Sequence, residues 1–267
     1  MKKYISFFRI RFITGLSYRA AAWSGMVTQF FWGMMLILSF NAFYRTDPAA
    51  FSMDFSALCS YIWLQEALHS LFTIWRMDNS TFESIRSGDI AYELARPIGL
   101  YGTWFSKDLA SSISNTLMRC IPLILVTAFL PAPYGLKLPA NLFSGIMFLI
   151  SLPLGVLVIS AVRMLIYIST FHTLNPRGVQ VVAVSAAEFL SGAIIPLPFF
   201  PDKLRTVVEC TPFAALQSSP LLIYTGAYTP EKALYLLGLQ LFWAVTLIVL
   251  GRVWLSHSLR RVVVQGG

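Results

Sequence analysis

Four ionisable side chains lie inside long apolar stretches of the sequence. Glu66 and His69 are three residues apart, so on a helix they share a face, with Gln65 beside them. Glu188 lies in a second apolar stretch and Arg119 in a third, just ahead of Pro122. A charge at the centre of a bilayer costs roughly 2.5–3.5 kcal/mol on insertion scales, so such groups face a protein interior, pair, or line a path. Two chemistries follow. Glu66, His69 and Glu188 are candidates for a translocation path, where they would handle protons or attract cationic cargo. Alternatively, a glutamate pairs with Arg119 between helices, or stays neutral and hydrogen-bonded.

Other reaction chemistry is missing from the sequence. There is no Gly-Lys-Ser/Thr, hence no P-loop, and no HExxH, GxSxG or GxGxxG. Cys59, Cys120 and Cys210 are far apart, without CxxC or Cys/His metal spacing, and read as three scattered buried thiols. The chain is 57% hydrophobic and 12% charged, against about 45–50% and about 25% for soluble domains. With a mean hydropathy of +0.68, this excludes a disordered chain, a nucleic-acid domain and a small disulfide-stapled protein. No catalytic residue, metal or cofactor is expected in the chain itself.

The elements that must position these residues are membrane helices of about 20 mainly apolar residues. Six stretches qualify: 20–43, 57–75, 109–130, 142–168, 179–195 and 233–254. Continuous apolar runs such as Ala244–Leu250 lack the alternation of a barrel strand. The expected fold is an all-α polytopic membrane protein, a single domain over 1–267 with six transmembrane helices. Fourteen of the 20 lysines and arginines, Arg163 and Arg261 among them, fall on the N-terminal side of this arrangement. Five, Arg45, Lys137, Lys203, Arg205 and Lys232, fall on the other. Basic loops stay inside, so both termini are expected in the cytoplasm. In 1–19, Ile5, Phe8, Phe12 and Leu16 recur at helical spacing, with Lys2, Lys3 and Arg9 elsewhere on the wheel. That pattern predicts an amphipathic interfacial helix; the alternative is a basic extension of the first span. Arg9, Arg11 and Arg19 interrupt any early apolar core, so the segment does not read as a cleavable leader.

Two connecting segments are unusual. In the inner one, 76–108, Ser80 and Glu83 have the capping-box spacing that starts a helix at Thr81, and Gly88 ends it in the left-handed conformation. Phe82 and Ile85 are expected to be exposed, entering a partner's groove or resting on lipid headgroups, with Glu83, Arg86 and Asp89 beside them. Another turn over Asp89–Ala95 precedes Pro97. The outer segment, 196–230, breaks apolar runs such as Phe213–Leu216 and Leu221–Tyr224 with prolines. These predict short re-entrant helices, tolerated only when buried in protein or lining a cavity. Ser151 and Gly155 have the small-xxx-small spacing of closely packed helices.

The stretch Ile85-Arg-Ser-Gly-Asp-Ile-Ala-Tyr-Glu-Leu-Ala-Arg-Pro-Ile98 resembles the I-x-x-G-x-I-x-x-x-L-x-R-P-I run of ABC-2-type permeases. The order of elements along the whole chain resembles the same family, the permease subunits of type-2 ABC exporters. The resemblance implies a transmembrane subunit in a bacterial inner membrane, exporting an amphipathic or lipophilic substrate. It implies two permeases, identical or homologous, with separate ABC ATPase subunits that bind the ATP and Mg. The helix carrying Phe82, Glu83, Ile85, Arg86, Gly88 and Asp89 would be the coupling helix, and spans one, two and five would line the path. The competing reading is an ion- or proton-coupled secondary transporter using Glu66, His69 and Glu188, against which no inverted repeat is visible. An intramembrane enzyme would be a third, but no nucleophile or metal constellation supports it.

Overall fold

The computed structural model describes residues 2–17, 19–47, 51–173 and 175–260, all of them helix or connecting loop without strand. Arg261, counted above on the inner side, lies outside the described residues. α1 (Lys2–Leu16) leads into α2 (Arg19–Thr46), which folds back through α3 (Phe55–Ala67) and α4 (His69–Phe72). Two short helices follow, α5 (Asn79–Ser87) and α6 (Ile90–Leu94). Then come α7 (Leu100–Ala128), α8 (Leu142–Thr173) and α9 (Pro176–Leu190). α10 (Asp202–Glu209), α11 (Pro212–Leu216) and α12 (Ser218–Tyr224) gather at one end before α13 (Pro230–Leu259) returns.

Among the described residues, four helices are long and apolar enough to cross a membrane: Ala22–Thr46, Leu100–Ala128, Leu142–Thr173 and Pro230–Leu259. The second and fifth expected spans are shorter than the apolar stretches that predict them. α3 has 13 residues and breaks at Leu68 (φ −98°, ψ 5°) before the single turn of α4. α9 has 15 residues, capped by the Asn175 side chain, and rises about 22 Å against a hydrocarbon core of about 30 Å. It ends at Leu190 because Gly192 turns the chain with φ 79°, and a Cβ there would come within 2.9 Å of the Tyr61 hydroxyl. Glu188 therefore occupies the last turn of its helix rather than the middle.

Close backbone approach organises the packing. α8 and α13 run parallel, with the Ser151 hydroxyl donating to Gln240 Oε1 at 2.8 Å near one end and His172 meeting Ser258 near the other. The Gln240 amide donates in turn to the Ala215 carbonyl of α11 at 2.9 Å. A Cβ on Gly155 would lie 2.6 Å from the Leu216 carbonyl, so the small-residue spacing of α8 admits the α11–α12 backbone. Every residue of α12 is buried, as the apolar outer runs require. Cys59 and Cys120 are buried, but Cys210 is exposed: it caps the C-terminus of the surface helix α10. α1 lies parallel to α7, with Tyr4 over Gly99 and Gly102 and Gly15 against Ser114. Phe8 and Phe12 stack on each other, while Ile5, Ile10 and Ile13 stay exposed.

Arg163 is not a surface charge. It is fully buried in α8, where its guanidinium binds the Asp108 carboxylate at 3.0 and 3.2 Å and Ser112 Oγ at 2.7 Å, both on α7. It also donates to the carbonyls of Leu71 and Thr73 at the end of α4. Removing one member of a buried ion pair strands the other and costs about 3–5 kcal/mol. Arg163→Leu is expected to lower the unfolding temperature of the purified protein sharply, and Asp108→Leu added to it to restore part of the loss. A single Arg163→Leu variant that unfolds like wild type would contradict this role.

Candidate functional site

Glu66, His69 and Glu188 border one cavity of about 250 Å³, between α2, α3–α4 and α9. Glu66 is 3% exposed. Its stem lies against α2, where Gly33 leaves room: a Cβ there would sit 3.1 Å from Glu66 Cγ. His69 opens α4 just after the break at Leu68 and is exposed. Glu188 reaches across from α9 and accepts a 2.9 Å hydrogen bond from Trp75 Nε1. Two further bonds hold α3 to the turn that follows α9. The Tyr61 hydroxyl donates to the Gly192 carbonyl at 3.0 Å, and the Gln65 amide to the Ala193 carbonyl at 2.8 Å. Among the described residues, no ion pair reaches Glu66 or Glu188. The Glu–Arg119 pair left open by the sequence does not form; the Arg119 guanidinium packs on α2, where a Cβ on Gly25 would lie 2.4 Å from Arg119 Cζ. The cavity thus combines apolar walls (Trp32, Phe72, Val184) with two carboxyl groups on facing elements. That lining suits a cation with a lipophilic body.

The inner helix forms, but it is turned differently from the sequence expectation. Asp78, not Ser80, is its N-cap: its carboxylate accepts from the Ser80 amide at 3.0 Å and the Ser80 hydroxyl at 2.8 Å, so α5 starts at Asn79. Gly88 ends it with φ 85°, and no atom within 4 Å would meet a Cβ there, so conformation rather than space calls for glycine. Phe82 and Ile85 are only 4% and 8% exposed. The Phe82 ring lies 4.8 Å from that of Tyr167 on α8, and the Tyr167 hydroxyl accepts the Asp78 amide proton at 2.6 Å. The apolar stripe of α5 is therefore covered by its own chain, because α8 presents Tyr167, itself packed on Trp104 of α7, beneath it. The Trp104 indole of α7 also donates to Glu93 of α6 at 3.1 Å. Glu83, Arg86, Ser87, Gly88 and Asp89 remain exposed, with Glu83 and Arg86 paired at 3.1 Å. Sequence reasoning missed Asp78, Tyr167 and Arg163. Only Asp78 has a local signal, as an N-cap residue type ahead of the helix.

At the opposite end, a cavity of about 400 Å³ lies between Asp54, Arg205, Glu209 and Lys232. Lys232 pairs with Glu209 at 2.9 Å, and the Tyr228 hydroxyl donates to the same carboxylate at 2.9 Å. Asp54, the N-cap of α3, is held below the usual carboxylate range, chiefly because the Ser56 hydroxyl donates to it. The charges here are largely satisfied within the chain.

Among known families, the model described as "ABC-2 family transporter protein" matches residues 29–266. No single curated protein matches the chain at a significant level. The match takes in the cavity, the inner helix, most of α2 and all described helices from α3 onward, and it agrees with the four described helices able to cross a membrane. The chain belongs to the ABC-2 transporter family, as a membrane-embedded permease component of an ABC transporter.

Proposed function

We propose that this permease is the transmembrane subunit of an ATP-driven exporter, and that α5 is the element through which a separate ATPase moves it. One observation carries the reading: α5 is fastened to α8 through the Phe82–Tyr167 ring contact and the Asp78–Tyr167 bond, with Ile85 buried beside them, while Glu83, Arg86 and Asp89 face outward. A helix held this firmly passes a push on its outer face to the bundle instead of absorbing it. ATP and Mg bind to the partner ATPases, whose closure biases two arrangements of the permease.

In this reading the chain crosses the inner membrane of a bacterium six times, with α3–α4 and α9 as short second and fifth crossings and both termini in the cytoplasm. A second permease, identical or homologous, completes the path. The uncovered apolar flanks of α2 (Phe31, Trp32) and α9 (Val182, Phe189), next to the cavity, support that pairing. The cargo is amphipathic or lipophilic, and the carboxyl groups of Glu66 and Glu188 favour a cationic one. A second reading, a proton-coupled carrier, draws on the same buried Glu66 without an ion-pair partner beside His69.

Three experiments bear on this. Reversing the outer charges of α5 (Glu83→Arg or Arg86→Glu) should cut co-purification of the ATPase several-fold while membrane insertion is kept. Phe82→Ala should leave the ATPase bound but hydrolysing without export. Wild-type behaviour of all three variants refutes the coupling role. For the path, Glu66→Gln and Glu188→Gln should slow export of lipophilic cations more than that of neutral amphiphiles of similar size. Export driven by a pH gradient without ATP, and abolished by Glu66→Gln, would favour the proton-coupled carrier. For orientation, an impermeant maleimide added to intact cells should label native Cys210, and a Ser87→Cys/Cys210→Ser variant only after permeabilisation. Reversed labelling would invert the topology.

A further inference from the structure

A third cavity, of about 200 Å³, lies beside α5, where Arg11 of α1, Lys107 of α7 and Arg76 from the α4–α5 connection converge. The two carboxylates in its wall are already engaged. Asp108 binds Arg163, and Asp78 caps α5, with Arg11 no nearer to it than 3.9 Å. Arg76 and Lys107 are half-buried, yet among the described residues neither has an ion-pair partner. Burial lowers the Arg76 pKa, and the guanidinium groups of Arg119 and Arg163 push it the same way. A guanidinium nevertheless keeps its proton in a protein. Its unfavourable environment is relieved by an added anion, not by loss of charge.

We propose that this cavity binds a phosphate group, carried on an anionic lipid headgroup or free in solution. Two guanidinium forks and an ammonium approaching from three different elements suit the several oxygens of a phosphate better than a single-atom anion. The neighbouring α1 leaves Ile5, Ile10 and Ile13 exposed, which suits a position at the bilayer surface, where lipid phosphates are the densest anions. A phosphate held there joins α1, α7 and the chain that enters α5, so its occupancy stiffens the base of the docking helix. The inference depends neither on the membrane orientation nor on the ATPase partner.

The test uses the purified full-length chain in phosphatidylcholine nanodiscs, with phosphatidylglycerol or inorganic phosphate added. Phosphatidylglycerol should remain bound in native mass spectra and raise the unfolding temperature. The Arg76→Gln/Lys107→Gln variant should bind it about thirty-fold more weakly, the loss of two cations at the strength basic residues have near an anionic surface. Lys203→Gln, at the far end, should bind as wild type does. Inorganic phosphate that stabilises the chain in neutral discs and competes with the lipid identifies free phosphate as the source. If the double variant fails to fold, the two single variants are read by the same lipid retention. Equal retention in wild type and the cavity variants overturns the proposal, as does an equal loss in Lys203→Gln. A wild type indifferent to both probes also overturns it, including the case where the cavity variants lose only ATPase binding.

Discussion

A guanidinium has five donors and no way to shed its charge, so a protein that buries one must surround it with acceptors. Arg163 sets that requirement for this chain. Asp108 and Ser112 meet part of it from α7. The carbonyls of Leu71 and Thr73, free to accept because α4 stops at Phe72, take the protons of the other terminal nitrogen, while Nε has no acceptor among the described residues. The early end of the second apolar stretch is thus tied to the charge on α8: had the helix continued, those carbonyls would have been used within it. The same bonds fix where the chain leaves the bundle, and so where Arg76, Asp78 and α5 begin.

From that anchor the inner segment is built in two layers. The lower layer is aromatic and buried, with Tyr167 in ring contact with both Phe82 and Trp104. The upper layer is charged and open. The cavity holding Glu66, His69 and Glu188 depends on a comparable arrangement further along α3, where Tyr61 and Gln65 grip the turn after α9. Residues more than a hundred positions apart in the sequence come to share one space because a glycine with positive φ lets that turn come close.

Much of this is legible in the sequence, for identifiable reasons. The long helices follow from hydropathy, and the end of α5 from the conformation that Gly88 alone adopts readily. The buried outer helices follow from apolar runs cut by proline, and the close approach on α8 from Ser151 and Gly155. The misses have a common cause. Hydropathy registers the apolar character of 57–75 and 179–195, but not the backbone angles at Leu68 and Gly192 that end the helices early. An amphipathic pattern says that Phe82 and Ile85 share a face, but not whether the chain itself covers that face. Arg163 and Asp108 are 55 residues apart, and each alone looks like an ordinary inner-surface charge.

The pairing of α1 with α7 has a consequence for how the chain is made. Tyr4 and the glycines it covers, Gly99 and Gly102, are separated by more than a third of the sequence. At about 5–20 residues per second, a ribosome needs on the order of 5–20 s to travel from one to the other. Throughout that interval α1 exists without its partner, its aromatic face open. The aromatic face of α1 therefore gains the surface that covers it in the folded chain only after α7 has been made, so this pairing is among the later contacts of the first half to form.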